Sequence, residues 1–70
     1  MIEKDSANKI KEHCLKAISE LSCALIAVEG QCSPDDMERI RRGVGLSIGK
    51  IESDLLGIIY AQYPYLDDLK

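Results

Sequence analysis

The stretch Gly30-Gln31-Cys32-Ser33-Pro34-Asp35-Asp36-Met37-Glu38 decides the fold of this chain. Gly30 supplies a left-handed stop for a helix arriving from the N-terminal side. Ser33 then serves as an N-cap and Pro34 suits the first helical position. Asp35, Asp36 and Glu38 complement the positive end of a helix dipole. One helix therefore closes just before this stretch and another opens inside it. A connection this short makes the two helices antiparallel neighbours.

Toward the N-terminus, Ile10, Cys14, Ala17, Leu21, Ala24 and Val28 recur at alternating spacings of four and three, a heptad-like seam. Ile18 and Leu25 widen it, while Lys9, His13, Lys16 and Glu20 take the opposite side. Asp5 or Ser6 can cap the start, so the pattern predicts a helix over residues 6–29. Toward the C-terminus, Met37, Ile40, Val44, Ile48, Ile51, Leu55, Ile58 and Ile59 fall on one face of a second helix over residues 34–62. Pro64 ends it, because the residue before a proline avoids helical geometry. The remaining residues form at most a turn or two, with Leu66 and Leu69 on one side.

The expected fold is thus all-α, an antiparallel helical hairpin with a short C-terminal segment, forming one small domain over residues 1–70. A hairpin cannot shield its own apolar stripes, and both are too wide for a single neighbour. Leu15 and Ile26 lie beyond the first seam, and Leu46, Leu56 and Tyr60 lie on the far side of the second helix. Surplus apolar surface of this kind marks an interface, and a symmetric pair of hairpins making a four-helix bundle is the economical answer.

Composition narrows the function classes. Seventy residues carry nine Lys and Arg against twelve Asp and Glu, a net charge of −3. That balance excludes binding to nucleic acid or anionic membrane by bulk charge alone. With 46% hydrophobic residues there is enough apolar surface to oppose disorder, and no apolar run is long enough to span a membrane. The opening Met1-Ile2-Glu3-Lys4-Asp5 lacks the basic-then-apolar pattern of a secretory leader, so a cytoplasmic location is expected. The three cysteines agree, being an odd number at irregular spacing. Cys14 and Cys23 would stand about 13 Å apart along one helix, too far to bridge.

Gly43, Gly45, Gly49 and Gly57 all sit inside the second helix, each costing roughly 1 kcal/mol against alanine. Gly45, Gly49, Ser53, Gly57 and Ala61 step by four residues and form a ridge of small side chains over which another backbone can pass. With Leu46, Leu56 and Tyr60, the first four of these are the candidate dimer interface. A competing reading breaks the helix at Gly43-Val44-Gly45. The run Gly43-Val44-Gly45-Leu46-Ser47-Ile48-Gly49-Lys50 looks superficially like a nucleotide loop but fails on spacing, since Ile51 follows Lys50 where Ser or Thr is needed.

Few residues suggest chemistry. His13 and Cys14 are adjacent, so on a helix they diverge by about 100° and no metal site is expected. Cys32, beside a helix N-terminus, is the cysteine best placed to react, although a turn cysteine without a role is the plainer reading. No catalytic residue and no cofactor is expected. Two surfaces are candidates for a partner. Arg39, Arg41 and Arg42 are the only arginines, but Asp35 and Glu38 stand four residues before Arg39 and Arg42, as in a solvated helix face. Tyr63, Tyr65, Leu66 and Leu69 form an aromatic, apolar end that either closes the bundle or docks a partner, with Asp67 and Asp68 beside it. The expected function is a small non-enzymatic helical homodimer that binds another protein as an adaptor, regulator or immunity-type inhibitor. The alternative is an RNA- or DNA-binding hairpin dimer that uses the arginine cluster.

Overall fold

The computed structural model describes residues 1–67; Asp68 and Leu69, both parts of the expected docking end, lie outside the described residues. Helix α1 spans Lys4–Val28 and helix α2 spans Pro34–Lys50. A π-helical segment, Ile51–Leu56, continues α2 into α3, Gly57–Gln62, and a 3-10 turn follows at Pro64–Leu66. The described residues contain no strand. The chain is a helical hairpin.

The turn is built by the groups its sequence names. Ser33 Oγ accepts a hydrogen bond from the Asp36 N–H at 3.2 Å, and the Ser33 carbonyl accepts from the Met37 N–H at 2.9 Å. Gly30, at φ 81°, is the one positive-φ residue among those described. The Gln31 N–H reaches back to the Val28 carbonyl at 3.0 Å, and the Gln31 side chain donates to the Ala27 carbonyl at 3.1 Å. With the Glu29 N–H donating to the Ile26 carbonyl at 3.3 Å, the last three carbonyls of α1 are satisfied. Farther on, α2 passes through Gly43-Val44-Gly45 without a break.

The other end departs from expectation. Neither Asp5 nor Ser6 caps α1; the helix starts earlier, with Glu3 in the N-cap position and no side-chain cap bond. A tertiary strap instead anchors the segment that precedes the helix. The Ile2 N–H donates to Gln62 Oε1 at 2.9 Å, and the Tyr63 hydroxyl donates to the Ile2 carbonyl at 2.7 Å. Ala7, Ile59 and Leu66 are buried together, with Ile2, Tyr60 and Tyr63 packed against them. Two helices plus a returning turn make a three-sided enclosure, and the most fully buried side chains, Ala7 and Ile59, lie there, while Cys14 and Met37 are buried between the two arms alone.

The seam of α1 keeps Cys14, Leu21 and Val28 of the expected line and uses Ile18 and Leu25 from its widened edge, while its other three positions move by one residue. Ala7, Lys11, Cys14, Ile18, Leu21, Leu25 and Val28 face α2, while Ile10, Ala17 and Ala24 are exposed. Lys11 explains the shift. Its apolar stem lies in the seam and its ammonium donates to the Leu66 carbonyl at 2.5 Å, so a charged residue holds an inward position.

A second shift occurs in the π-helical segment. Before it, Val44, Ile48 and Ile51 face α1; after it, Leu56 and Ile59 do, at 3% and 1% exposure. A π turn accommodates one residue more than an α turn, so the inward positions step by five from Ile51 to Leu56. Leu55 and Ile58, expected inside, are turned outward at 48% and 49% exposure. The molecule is long and thin, 45 × 20 × 16 Å. Its radius of gyration is 14.6 Å, where a compact chain of this length would have about 11 Å. No helix of the described residues is long and apolar enough to cross a membrane.

Candidate interaction surface

The two register shifts act together on one side of the hairpin. On α1 they leave Ile10 and Ala17 beside the seam, and after α2 they leave Leu55 beside it. These side chains, with Lys9, His13, Cys14 and Ile51, line a groove of about 330 Å³. Its floor is apolar, while Lys9 and His13 stand on its α1 rim. The groove is open to solvent along its length and has no converging set of polar groups, so it suits an apolar side chain better than a small polar substrate.

The residues singled out in the sequence fall in different places. Leu56 is enclosed within the hairpin, and Tyr60 packs on the cluster at the strapped end. Gly45, Gly49 and Ser53 are exposed, Gly57 is half-buried, and Leu46 is exposed. A methyl group added at Gly43, Gly45 or Gly49 would meet nothing within 4 Å; at Gly57 it would meet only the Glu52 carbonyl, at 3.6 Å. Within one chain, then, no backbone crosses the small-residue ridge.

Tyr63 and Leu66 are engaged inside the chain, as described above. Tyr65 remains outside. Its ring meets Tyr63 edge-on at 6.0 Å between centroids, and Lys4 Nζ stands 5.3 Å from its centroid, within cation–π range. Arg39, Arg41 and Arg42 are exposed on α2. Arg42 meets Glu38 at 3.6 Å, and Arg39 borders an open hollow with Ser33, Asp35, Asp36 and Glu38. The carboxylates around this hollow outnumber its one guanidinium, which disfavours an anionic ligand there.

The three cysteines are free thiols: Cys14 buried in the seam, Cys23 exposed and Cys32 half-buried in the turn. Among the described residues, no three His, Cys, Asp or Glu side chains converge on a point that could hold a metal ion.

Sequence reasoning placed Ile10, Ala17 and Leu55 inside the hairpin, and so did not see the groove. One signal was available: Ile51, Leu55, Leu56, Ile58 and Ile59 offer two registers one residue apart, and whichever is used inside leaves the other outside. No protein-family model, no curated protein and no solved structure matches this chain.

Proposed function

We propose that this chain is a non-enzymatic helical homodimer, two hairpins forming a four-helix bundle, which acts by binding another protein as an adaptor, regulator or immunity-type inhibitor. The observation that carries the reading is the outward-facing apolar surface. One chain exposes 5230 Å², where a compact monomer of its mass exposes about 4400 Å². The surplus, roughly 830 Å² of polar and apolar surface together, is of the order that each partner buries in a standard-sized protein interface. Ile10, Leu55 and Ile58 contribute to it on the groove side. Leu15, Ile26 and Leu46 contribute elsewhere, and they supply apolar anchors for a second, different protein. Free thiols suit a reducing compartment, in keeping with a cytoplasmic protein.

The test is mass in solution. Light scattering after size exclusion should give twice the 7.8 kDa chain mass at micromolar concentration. A monomer throughout a dilution series, with helical circular dichroism intact, overturns the homodimer. For the second partner, Ile26→Ser with Leu46→Ser should leave the dimer in place and release a protein that co-purifies with the parent. Nucleic acid co-purifying instead, and lost with the arginines, would favour the other reading.

A further inference from the structure

We infer that the groove is filled by a second copy of this chain, packed face to face and antiparallel about a two-fold axis that runs across both arms at the level of Ala17 and Ser47. The inference rests on the homodimer proposed above and specifies its geometry.

Four observations converge on this arrangement. The first is the identity of the exposed side positions. Beside the seam, α1 presents Ile10, Ala17 and Ala24, seven residues apart, and all are exposed. With His13 and Glu20, which share that side, they form a second stripe of alternating three- and four-residue spacing. The matching side of the other arm carries Ile40, Ser47 and Leu55, also exposed.

The second is size complementarity. An antiparallel pairing centred on Ala17 sets Ile10 of one copy against Ala24 of the other, and Ala17 against its own mate. Large meets small, and small residues at the centre let the backbones approach. On the other arm the same operation sets Ile40 against Leu55 across Ser47.

The third observation is that both arms require the same axis. Ala7 packs with Ile59, and seven residues on along α1 and eight back along the other arm, across the π turn, Cys14 and Ile51 both line the groove, so the two pairs are level in the hairpin. One turn farther from the strapped end, Ala17 is then level with Ile48, beside Ser47. The axis that pairs Ile10 with Ala24 is therefore also the axis that pairs Ile40 with Leu55. It brings Ile40 of the second copy over the groove between Ile10 and Leu55. Ala17 also lies within a residue of the midpoint of Lys4–Val28, so the two hairpins overlap along nearly their whole length.

The fourth is polar matching at the rim. His13 and Glu20 lie on the same flank of the stripe, and the axis sets His13 of each copy level with Leu21 of the other, one residue from Glu20. The carboxylate can accept from the imidazole N–H at both edges of the contact.

A residue on a two-fold axis meets its own copy, so a cysteine there forms a disulfide with itself, whereas off-axis positions do not. The experiment uses the full chain carrying Cys23→Ser and Cys32→Ser, with buried Cys14 kept and the parent as control. Under mild oxidation, Ala17→Cys should convert to a covalent dimer, while the parent and Gly49→Cys should not. A mixture of Ile10→Cys and Ala24→Cys chains should cross-link, and neither alone should. Ala17→Glu, which brings two carboxylates together on the axis, should weaken dimerisation by roughly 100-fold or more while the helical signal is retained.

Cross-linking through Gly49→Cys but not Ala17→Cys overturns the inference and leaves the homodimer standing, with the small-residue ridge as its interface. A dimer that cross-links at neither position, or at both, overturns it as well, as does a dimer unaffected by Ala17→Glu. A chain that is monomeric at every concentration overturns the homodimer itself.

Discussion

At the end where Ile2 meets Gln62 and Tyr63, Ala7, Ile59 and Leu66 are sealed by Ile2, Tyr60 and Tyr63, whereas in the middle of the hairpin Ile10, Ala17 and Leu55 line an open groove. The same two helical arms pass through both regions. What differs is the number of elements around the apolar line. At the strapped end a returning 3-10 turn and the segment through Ile2 add a third side, and three sides can enclose a side chain. Mid-hairpin there are two helices alone, and two cylinders in contact shield only a single row of residues between them. The lesson is geometric: additional hydrophobic residues cannot give two helices an enclosed core without another element to lie across them.

The comparison breaks most visibly if the third side is removed. Truncation after Gln62 takes away Leu66, the Tyr63 hydroxyl bond to Ile2 and the acceptor of the Lys11 ammonium. Burial of a leucine and loss of two hydrogen bonds together suggest a cost of about 4 kcal/mol or more. For a chain this short that approaches the whole of its stability. Thermal melts should show the transition lost or moved well below that of the full chain. A truncated chain that melts at the original temperature would mean that the strapped end contributes little and that the contrast drawn here is unfounded.

Paired alanine substitutions compare the two regions directly. Ile59→Ala opens a cavity in the enclosed end and should cost about 3 kcal/mol in denaturant unfolding, at any protein concentration. Leu55→Ala removes a side chain that is half outside one chain. It should cost about 1 kcal/mol at low concentration. At high concentration, where the groove is covered by its second copy, the cost should be larger. Equal, concentration-independent losses at both sites would show that the middle of the hairpin is already as closed as its end.

Most of the fold was legible because local chemistry decides it. Ser33, Pro34 and Gly30 set the turn through their own hydrogen-bonding and φ preferences, and the structure uses each as its chemistry suggests. The register of both arms was not legible, for the opposite reason. Lys11 reads as an outward residue until one sees the Leu66 carbonyl, 55 positions away, that holds its ammonium. Leu55 and Leu56 are equally good core residues, and so are Ile58 and Ile59. Ala7 and Leu66, distant in sequence, pack on Ile59 and so favour one register over the other. The π-helical segment reconciles that choice with the register of α2. The groove is a by-product of the two shifts, so any reading that places Ile10 and Leu55 in the seam necessarily misses it.

That account yields a sharper experiment. Deleting exposed Ser53 removes the extra residue of the π turn and leaves Leu56, Ile59 and Tyr63 four, seven and eleven residues after Ile51 in the shortened chain. Those are the spacings of an uninterrupted heptad seam. The shortened chain should fold with its strapped end intact and with stability within about 1 kcal/mol of the parent. Retention of buried Ile59 can be followed by amide exchange. Collapse of the fold on this deletion would show that the π turn is required rather than accommodating.

Glycine substitutions give a smaller effect of opposite sign. A methyl group at Gly43, Gly45 or Gly49 meets open space in the single chain, and each glycine lies in helix interior. Alanine at any one of them should raise stability by about 0.8 kcal/mol. Gly49→Leu discriminates further. If the ridge faces water, it should raise the melting temperature and keep the dimer; if a second backbone crosses there, dimerisation should fail. The second result would move the interface from the groove side to the ridge.

The smallest expected effect is at Arg39, Arg41 and Arg42. Arg42 and Glu38 approach to 3.6 Å with both side chains largely in water, so the pair contributes at most a few tenths of a kcal/mol. Replacing all three arginines with Gln should change stability by less than about 0.5 kcal/mol and leave the dimer intact, because their side chains are exposed and the apolar residues of the contact are untouched. The substitution raises the magnitude of the net negative charge, so any association steered by these guanidinium groups should weaken, and should do so most at low salt, where screening is weak. A folded, dimeric triple variant that loses a native partner in a salt-dependent way would show that α2 carries a binding surface where the surrounding carboxylates argue for solvent. The comparison would then have a third member: a region that is neither enclosed nor awaiting a second copy, but reserved by charge for something else.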